Sequence, residues 1–342
     1  MVTFIFVGLF AILLSDYRLN KEVPLRLWGL GVLFIFLALR YNYGNDYIAY
    51  SEMHSIIQQN GTQYPKDILY IILNRIIDNF QLLVAILSAF YIYSIYYLLK
   101  HTMPIKYWWL SLAMLLCNPY FFLVHLSTFR QTLALCFFIF AVVAGTKRKP
   151  IYYLVFIALA AMSHKSAVIL LPSWFILKQS RLNRFEFVVC ILIPFFILIY
   201  PELFESLVRL VFKYTGLNYG HYLGNERNSV RSIIISSIFY FILIFNVGKL
   251  DIKYLPYAKL ALVGSILSLS TRFMPMITRI QMYYDIFYIV VFPIIVFHTR
   301  DKHIRNAVIF VIIAIYILRM YSFMNNPRWE PFTIYHTIFQ EL

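Results

Sequence analysis

Residues 127–166 read STFRQTLALCFFIFAVVAGTKRKPIYYLVFIALAAMSHKS. Between Leu133 and Gly145, and again between Ile151 and Met162, the stretch is almost wholly apolar; the two runs are separated by the basic turn Lys147-Arg148-Lys149. A hydrocarbon layer about 30 Å thick asks for roughly 20 helical residues per crossing, and only helices or closed barrels satisfy their backbone inside it. The runs are continuous rather than alternating, which selects helices over barrel strands. The stretch therefore predicts two membrane helices joined by a basic loop, with Arg130, Gln131 and His164 at the ends away from that loop.

The same pattern repeats along the chain. With 61% hydrophobic, 19% aromatic and only 13% charged residues over 342 positions, there is too little charge for the surface of a soluble domain. The apolar runs predict about twelve spans, near 2–14, 24–39, 80–99, 107–124, 127–145, 150–163, 166–178, 185–200, 231–247, 258–277, 280–298 and 306–321. The first has the length of a signal-peptide core but lacks basic residues before it and a small-residue cleavage site after it, so it is expected to be a span. No clear repeat or low-complexity stretch divides the chain, and the expectation is an all-α, polytopic membrane protein with one transmembrane domain over 1–342. Cys117, Cys136 and Cys190 fall inside spans and read as small packing residues. There is no glycine-rich phosphate loop, no paired cysteine motif and no His-x-x-x-His, so neither nucleotide hydrolysis nor a zinc site is supported.

Short basic loops set the orientation. Arg18, Lys21 and Arg26, then Lys100 and Lys106, Lys147 to Lys149, Lys178 to Arg184, Lys249 to Lys259 and Arg300 to Arg305 recur in alternate loops, which places them in the cytoplasm. Both termini and the segments 40–79, 201–230 and 322–342 then fall outside. The net charge of +15 anchors this topology against anionic membrane lipids, but the outer set holds about ten Arg to three Lys, which orientation alone does not require. Arg grips phosphate through a planar fork where Lys is a point charge, so an external arginine cluster points to an anionic ligand approached from outside. Nucleic acid does not suit that location.

Four polar stretches stand at the outer ends of spans. In Arg40 to Tyr50, Gly44 and Asn45 favour a turn and Asp46 is placed to cap the next helix through its carboxylate; Arg40 and Asp46 either belong to a capped interfacial helix or face an external cavity. In Ser127 to Gln131, after Asn118-Pro119 breaks the preceding span, Arg130 in an apolar helix costs about 3 kcal/mol if deep, so it either snorkels or needs a partner. The hinge Ala161 to Ser166 carries His164, an imidazole able to exchange a proton near neutral pH or merely satisfied at the interface. In Thr271 to Asp285, Arg272 and Arg279 are seven residues apart and would share a helix face if Pro275 only kinks the segment, with Tyr283 one turn further on.

Together these stretches resemble the EpsG family of membrane polysaccharide proteins, related to the Wzy polymerases of O-antigen and capsule. The resemblance rests on Arg40, Gly44, Asp46 and Tyr50; on Ser127, Arg130, Gln131 and Ala134; on Lys147 to Lys149 followed by Ala160, His164, Ser166 and Pro172; and on Arg279, Tyr283 and Pro293. It implies a GT-C-like glycosyltransferase architecture in the bacterial inner membrane, with the active site facing the periplasm. The implied substrate is an undecaprenyl-diphosphate-linked oligosaccharide, and a chain-length regulator is a further implied partner. Arg130, Arg272 and Arg279, with Arg40 less strongly, would bind diphosphate, and either His164 or Asp46 would be the base. Gln131 and Tyr283 would orient substrate. Arginines would take the place of a divalent metal and no cofactor is expected. The alternatives in other classes are a lipid-linked oligosaccharide flippase and an O-antigen ligase.

Overall fold

The computed structural model describes residues 2–16, 23–61, 67–215, 230–271, 273–274 and 277–340. Its helices up to the first bend-rich region are α1 (Val2–Ser15), α2 (Val23–Ala38), α3 (Tyr47–Gln58), α4 (Ile68–Ile76), α5 (Phe80–Thr102), α6 (Trp108–Cys117), α7 (Leu123–Ser127), α8 (Phe129–Thr146) and α9 (Pro150–Ser163). They are followed by α10 (Ser173–Ile176), α11 (Arg184–Ile199), α12 (Pro201–Thr215), α13 (Val230–Val247), α14 (Leu255–Ser270), α15 (Ile277–Asp285), α16 (Tyr288–His298) and α17 (Lys302–Met324). Two short strands, β1 (Arg40–Tyr41) and β2 (His336–Thr337), pair antiparallel.

The protein is all-α in class and an integral membrane protein. Among the described residues four helical stretches are long and apolar enough to cross a membrane: α5, α8, Ile252–Ser270 containing α14, and α17. Two bent pairs, α11 with the start of α12 and α15 with α16, bring the number to six if each pair is one span. The other six anticipated segments contain shorter apolar helices. Two of them end for a local reason. Pro119 follows the end of α6 at Asn118, and α9 stops where His164 adopts extended backbone angles (φ −156, ψ 116). Helices outside the core show large apolar side chains on their surface, such as Phe310 at 74% and Leu318 at 64% exposure on α17, a surface that lipid can cover and water cannot.

The chain divides into two compact units, one of residues 1–171 with 292–342 and one of residues 172–291. In the first, α8 is the core helix, with 89% of its span buried against 22% for α17. It packs on α5 and α9, and α2 packs on both α1 and α5. A helix apolar on every side needs protein on every side, which accounts for the central place of α8. Its 18 residues rise about 27 Å. The basic turn Lys147 to Lys149, with Arg148 in the left-handed region (φ 57), therefore lies a bilayer thickness away from Arg130.

The chain after α17 folds back onto the segment that follows α2. Tyr335 stacks on Phe36 at 4.3 Å and donates its hydroxyl to the Phe36 carbonyl at 2.6 Å. The Gly44 amide donates to the Pro331 carbonyl, and the Asn45 side-chain amide to the Arg328 carbonyl at 3.0 Å. The tail 322–342 is thus, over its described part, a strap across the first polar motif.

In the second unit α14 packs on α11, α13 and α15. α14 ends at Ser270 and α15 begins at Ile277, so a break separates them rather than a kink; Arg272 and Pro275 lie outside the described residues. Gly264 sits so close to Asp285 that a Cβ there would overlap its carboxylate, and Gln281 donates to the same carboxylate. α12 turns 105° from α11. Its Phe204 and Val208 pack on Met274 and Ile277 while Leu203, Leu207 and Leu210 are exposed, a pattern suited to a helix lying along a membrane surface. Positions 216–229 of the external segment lie outside the described residues.

Candidate functional site

The polar residues at the ends of α8 and α9 remote from the basic turn are brought together by an acid that the sequence reading passed over. Asp67 precedes α4, and its Oδ2 accepts from Arg130 Nη1 at 2.6 Å. Its Oδ1 accepts from the backbone N–H of Lys165 at 3.3 Å. His164 Nδ1 stands 3.9 Å from the Oδ2 that Arg130 holds, too far for a hydrogen bond but within the range of an ion pair when the imidazole is protonated. Asp67 therefore joins the start of α4, the start of α8 and the turn after α9. Removing either charge of such a nearly buried pair strands the other, at a cost on the order of 3 kcal/mol.

The electrostatics keep the carboxylate ionised. Burial raises the proton affinity of Asp67, but His164 and Arg130 outweigh it and hold the carboxyl below the usual aspartate range. A carboxyl whose folded pKa is depressed stabilises the fold at pH above its unfolded value, and the contribution disappears as pH falls through the folded value. At neutral pH Asp67 is thus an anion.

Aromatic rings carry the arginines. Arg130 lies 6.0 Å from the Tyr50 ring centroid, Tyr50 stacks on Phe129 at 4.6 Å and 15°, and Arg40 lies 5.3 Å from the Phe129 centroid. Tyr70 meets the edge of Tyr50 at 5.7 Å. Arg40 is only 2% exposed. It donates to the Leu37 carbonyl at 2.7 Å, to Ser88 Oγ at 3.1 Å and to the Leu126 carbonyl at 3.3 Å, bracing the ends of α2 and α7 against the body of α5. Several donors in this region make no hydrogen bond within the protein: Arg130 Nε, both ring nitrogens of His164, Ser166 Oγ and the Tyr70 hydroxyl.

Three of the four motifs thus meet in the first unit, and all four fall within residues 27–337, which the model of one known family matches. The chain belongs to the EpsG family. This is a family of Wzy-like, polysaccharide-polymerase-type membrane proteins. No curated protein and no solved structure matches the chain.

Of the two outcomes open to Arg130 in this EpsG-family protein, snorkelling or a partner, it has a partner, Asp67. Asp46 stands at the exposed start of α3 and makes no capping hydrogen bond with its side chain, contrary to the expectation drawn from its position. The Asp46 carbonyl accepts the first backbone bond of the helix, from the Tyr50 amide at 2.9 Å, as an N-cap residue does. Gln131 is buried on α8, next to Arg130 in sequence. Arg279 is half-buried and Tyr283 fully buried on α15, in the second unit. Asp67 is one of four acids in the segment 40–79, with Asp46, Glu52 and Asp78. The available signal was that Arg130 needs a counter-charge and that this segment supplies it. Among the described residues no three His, Cys, Asp or Glu side chains gather into a group that could hold a metal ion.

Proposed function

We propose that this EpsG-family protein is a polymerase that extends a glycan carried on undecaprenyl diphosphate. The growing chain is transferred to the sugar of an incoming lipid-linked repeat unit. The observation that carries this reading is the Arg130–Asp67–His164 cluster, with its unspent donors, at the end of the α8–α9 hairpin remote from the basic turn. An enzyme of this kind breaks the bond between an anomeric carbon and a diphosphate oxygen. The diphosphate leaves with the electron pair, and the acceptor hydroxyl bonds to that carbon and gives up its proton.

Arg130 holds the leaving diphosphate. His164 takes the proton, with Asp46 the alternative base nearer the surface. Gln131 orients the substrate. Arg40, already spent on protein acceptors, serves by bracing Phe129 beside Arg130. Arginine charge replaces a divalent metal. The twelve apolar segments all cross or enter the inner membrane in a GT-C-like arrangement, with the cluster facing the periplasm, where a chain-length regulator can reach the product.

The sidedness has a direct test. In a background lacking the three native cysteines, Asn325→Cys is expected to react with an impermeant thiol reagent from the periplasm and Arg148→Cys only after the membrane is opened. Periplasmic labelling of Arg148→Cys overturns the orientation.

A flippase and a ligase are the rival readings, and the lipid-linked products of a deletion strain separate the three. A flippase alternates access and often carries internal repeats, whereas the polar cluster here stands at one end of the hairpin. Loss of the polymerase should leave single repeat units on the outer face, able to reach the final acceptor as one-unit caps. Loss of a flippase traps units in the inner leaflet, and loss of a ligase leaves long chains on undecaprenyl diphosphate. Either of the last two outcomes sinks the polymerase reading.

A further inference from the structure

The Asp67 oxygen bonded to Arg130 is the same oxygen that His164 approaches. Arg130 uses Nη1 on it and is also hydrogen-bonded to the Tyr50 side chain, while Nε, although buried, has no hydrogen-bond partner in the protein. Arginine at full use binds an anion through two parallel N–H groups, so the contact with Asp67 leaves binding capacity that a bidentate phosphate would take up. His164 is the complementary case: both ring nitrogens are buried without a hydrogen bond, and the nearest acceptor is that shared oxygen at 3.9 Å. An unpaired buried imidazole N–H is costly, so the arrangement gains wherever the oxygen becomes available. Asp67 is also tied by its other oxygen to the Lys165 amide, the residue next to His164. When Arg130 withdraws, the carboxylate stays attached to the His164 turn and has only a short rotation to make.

We propose that Asp67 is a positioning residue that changes partner in each catalytic cycle: the substrate diphosphate takes the Arg130 fork, and the released carboxylate oxygen engages His164 and makes it the base. The inference rests on the polymerase reading above and adds a coupling to it, because His164 is activated only after a donor diphosphate has arrived. An acceptor hydroxyl, or water, is not deprotonated in the unloaded site. The titratable groups around His164 are Asp67 and Tyr70 from the α4 region, Arg130 from α8, the adjacent Lys165, and Tyr50 whose ring lies against Arg130. Among them Asp67 is the one anion at neutral pH and Arg130 the cation that competes for it. Transfer of Arg130 to phosphate removes that competition and raises the proton affinity of His164; the charge of the phosphates acts in the same direction, so the test has to separate the two.

The separation comes from titrating the imidazole in purified full-length protein carrying isotope-labelled histidine, with His164→Asn to assign the resonance. Undecaprenyl diphosphate is expected to move the His164 midpoint upward in the wild type and to move it much less in Asp67→Asn. In the polymerisation assay Asp67→Asn should keep its affinity for undecaprenyl diphosphate, lose about 100-fold in turnover and shift the acid limb of the pH profile to lower pH. An equal upward shift in both proteins means that phosphate acts on His164 directly and overturns the exchange, as does an unchanged pH profile in Asp67→Asn. If Asp67→Asn does not fold, Asp67→Ser takes its place in the comparison, and binding to the wild type without any shift rules the exchange out in either case. Failure of the polymerase reading looks different: wild-type protein that neither binds undecaprenyl diphosphate nor extends chains.

Discussion

Arg130→Lys is expected to lose about 100-fold or more of polymerising activity while the protein remains folded, a loss of the size seen when one preorganised donor to developing charge is removed. The substitution separates charge from geometry. Lysine keeps a cation near Asp67 Oδ2, where Arg130 Nη1 now donates at 2.6 Å, so the buried carboxylate is not stranded and the link between α4 and α8 survives. What disappears is the fork. A single ammonium cannot hold Asp67 and a phosphate at once, and it lacks the planar face with which Arg130 lies against Tyr50. Arg130→Ala would mix this loss with destabilisation and is the poorer experiment. The same exchange at Arg279, on α15 in the second unit, asks whether that arginine also acts through a fork. Activity is read from the length distribution of lipid-linked chains made by purified protein, and folding from size exclusion and thermal melting. Normal polymerisation by both lysine variants would show that positive charge alone suffices.

The second large effect is on stability and falls at Gly44. Its φ of +108 is a conformation that side chains rarely adopt, and a Cβ there would overlap Ser127 Oγ and press on the Phe332 ring at 3.3 Å. Neither neighbour has room to give. Ser127 is the last residue of α7, two before Phe129, and Phe332 is wedged against Tyr43, Phe323 and Trp329. Gly44→Ala is therefore expected to destabilise by roughly 2–4 kcal/mol, combining backbone strain with overpacking. It should also loosen the strap, because the Gly44 amide donates to Pro331. Gly31→Ala is the internal control, since nothing lies within 4 Å of a Cβ at that position and the substitution in a helix should be near neutral or stabilising. Thermal melting of the two variants side by side checks the argument. Equal stability of Gly44→Ala and Gly31→Ala would mean that the strap and α7 yield more than their packing suggests.

Much of this molecule was legible from residue order alone. Membrane insertion, the positions of the apolar helices, the break at Asn118-Pro119, the hinge at His164 and the turn at Gly44 all depend on residues close together in the chain. Hydropathy sums over about 20 neighbours, and a proline or a glycine acts on the backbone next to it, so a local reading suffices. The requirement that Arg130 have a partner was legible too, because an arginine at the head of an apolar helix costs too much to stand alone. Span number was less so. Whether a run of 13 apolar residues crosses, dips or packs inside depends on neighbours that the run does not contain.

The identity of the partner was decided only in three dimensions. Asp67 is 63 residues from Arg130 and 98 from the Lys165 amide that holds its other oxygen. It looks no different in sequence from Asp46, Glu52 or Asp78. Packing of α4 against α5 and α9 carries it to the head of α8, and the same packing leaves Asp46 at the surface. Arg40, which in sequence resembles a ligand-facing arginine, is turned inward because the ends of α2 and α7 offer it two carbonyls and the body of α5 a hydroxyl. The sequence alone therefore determined that this is a helical membrane protein with polar groups at the ends of its helices. Tertiary structure chose which of those groups meet, because a charge removed from water has to find its counter-charge through contacts between segments far apart in the chain.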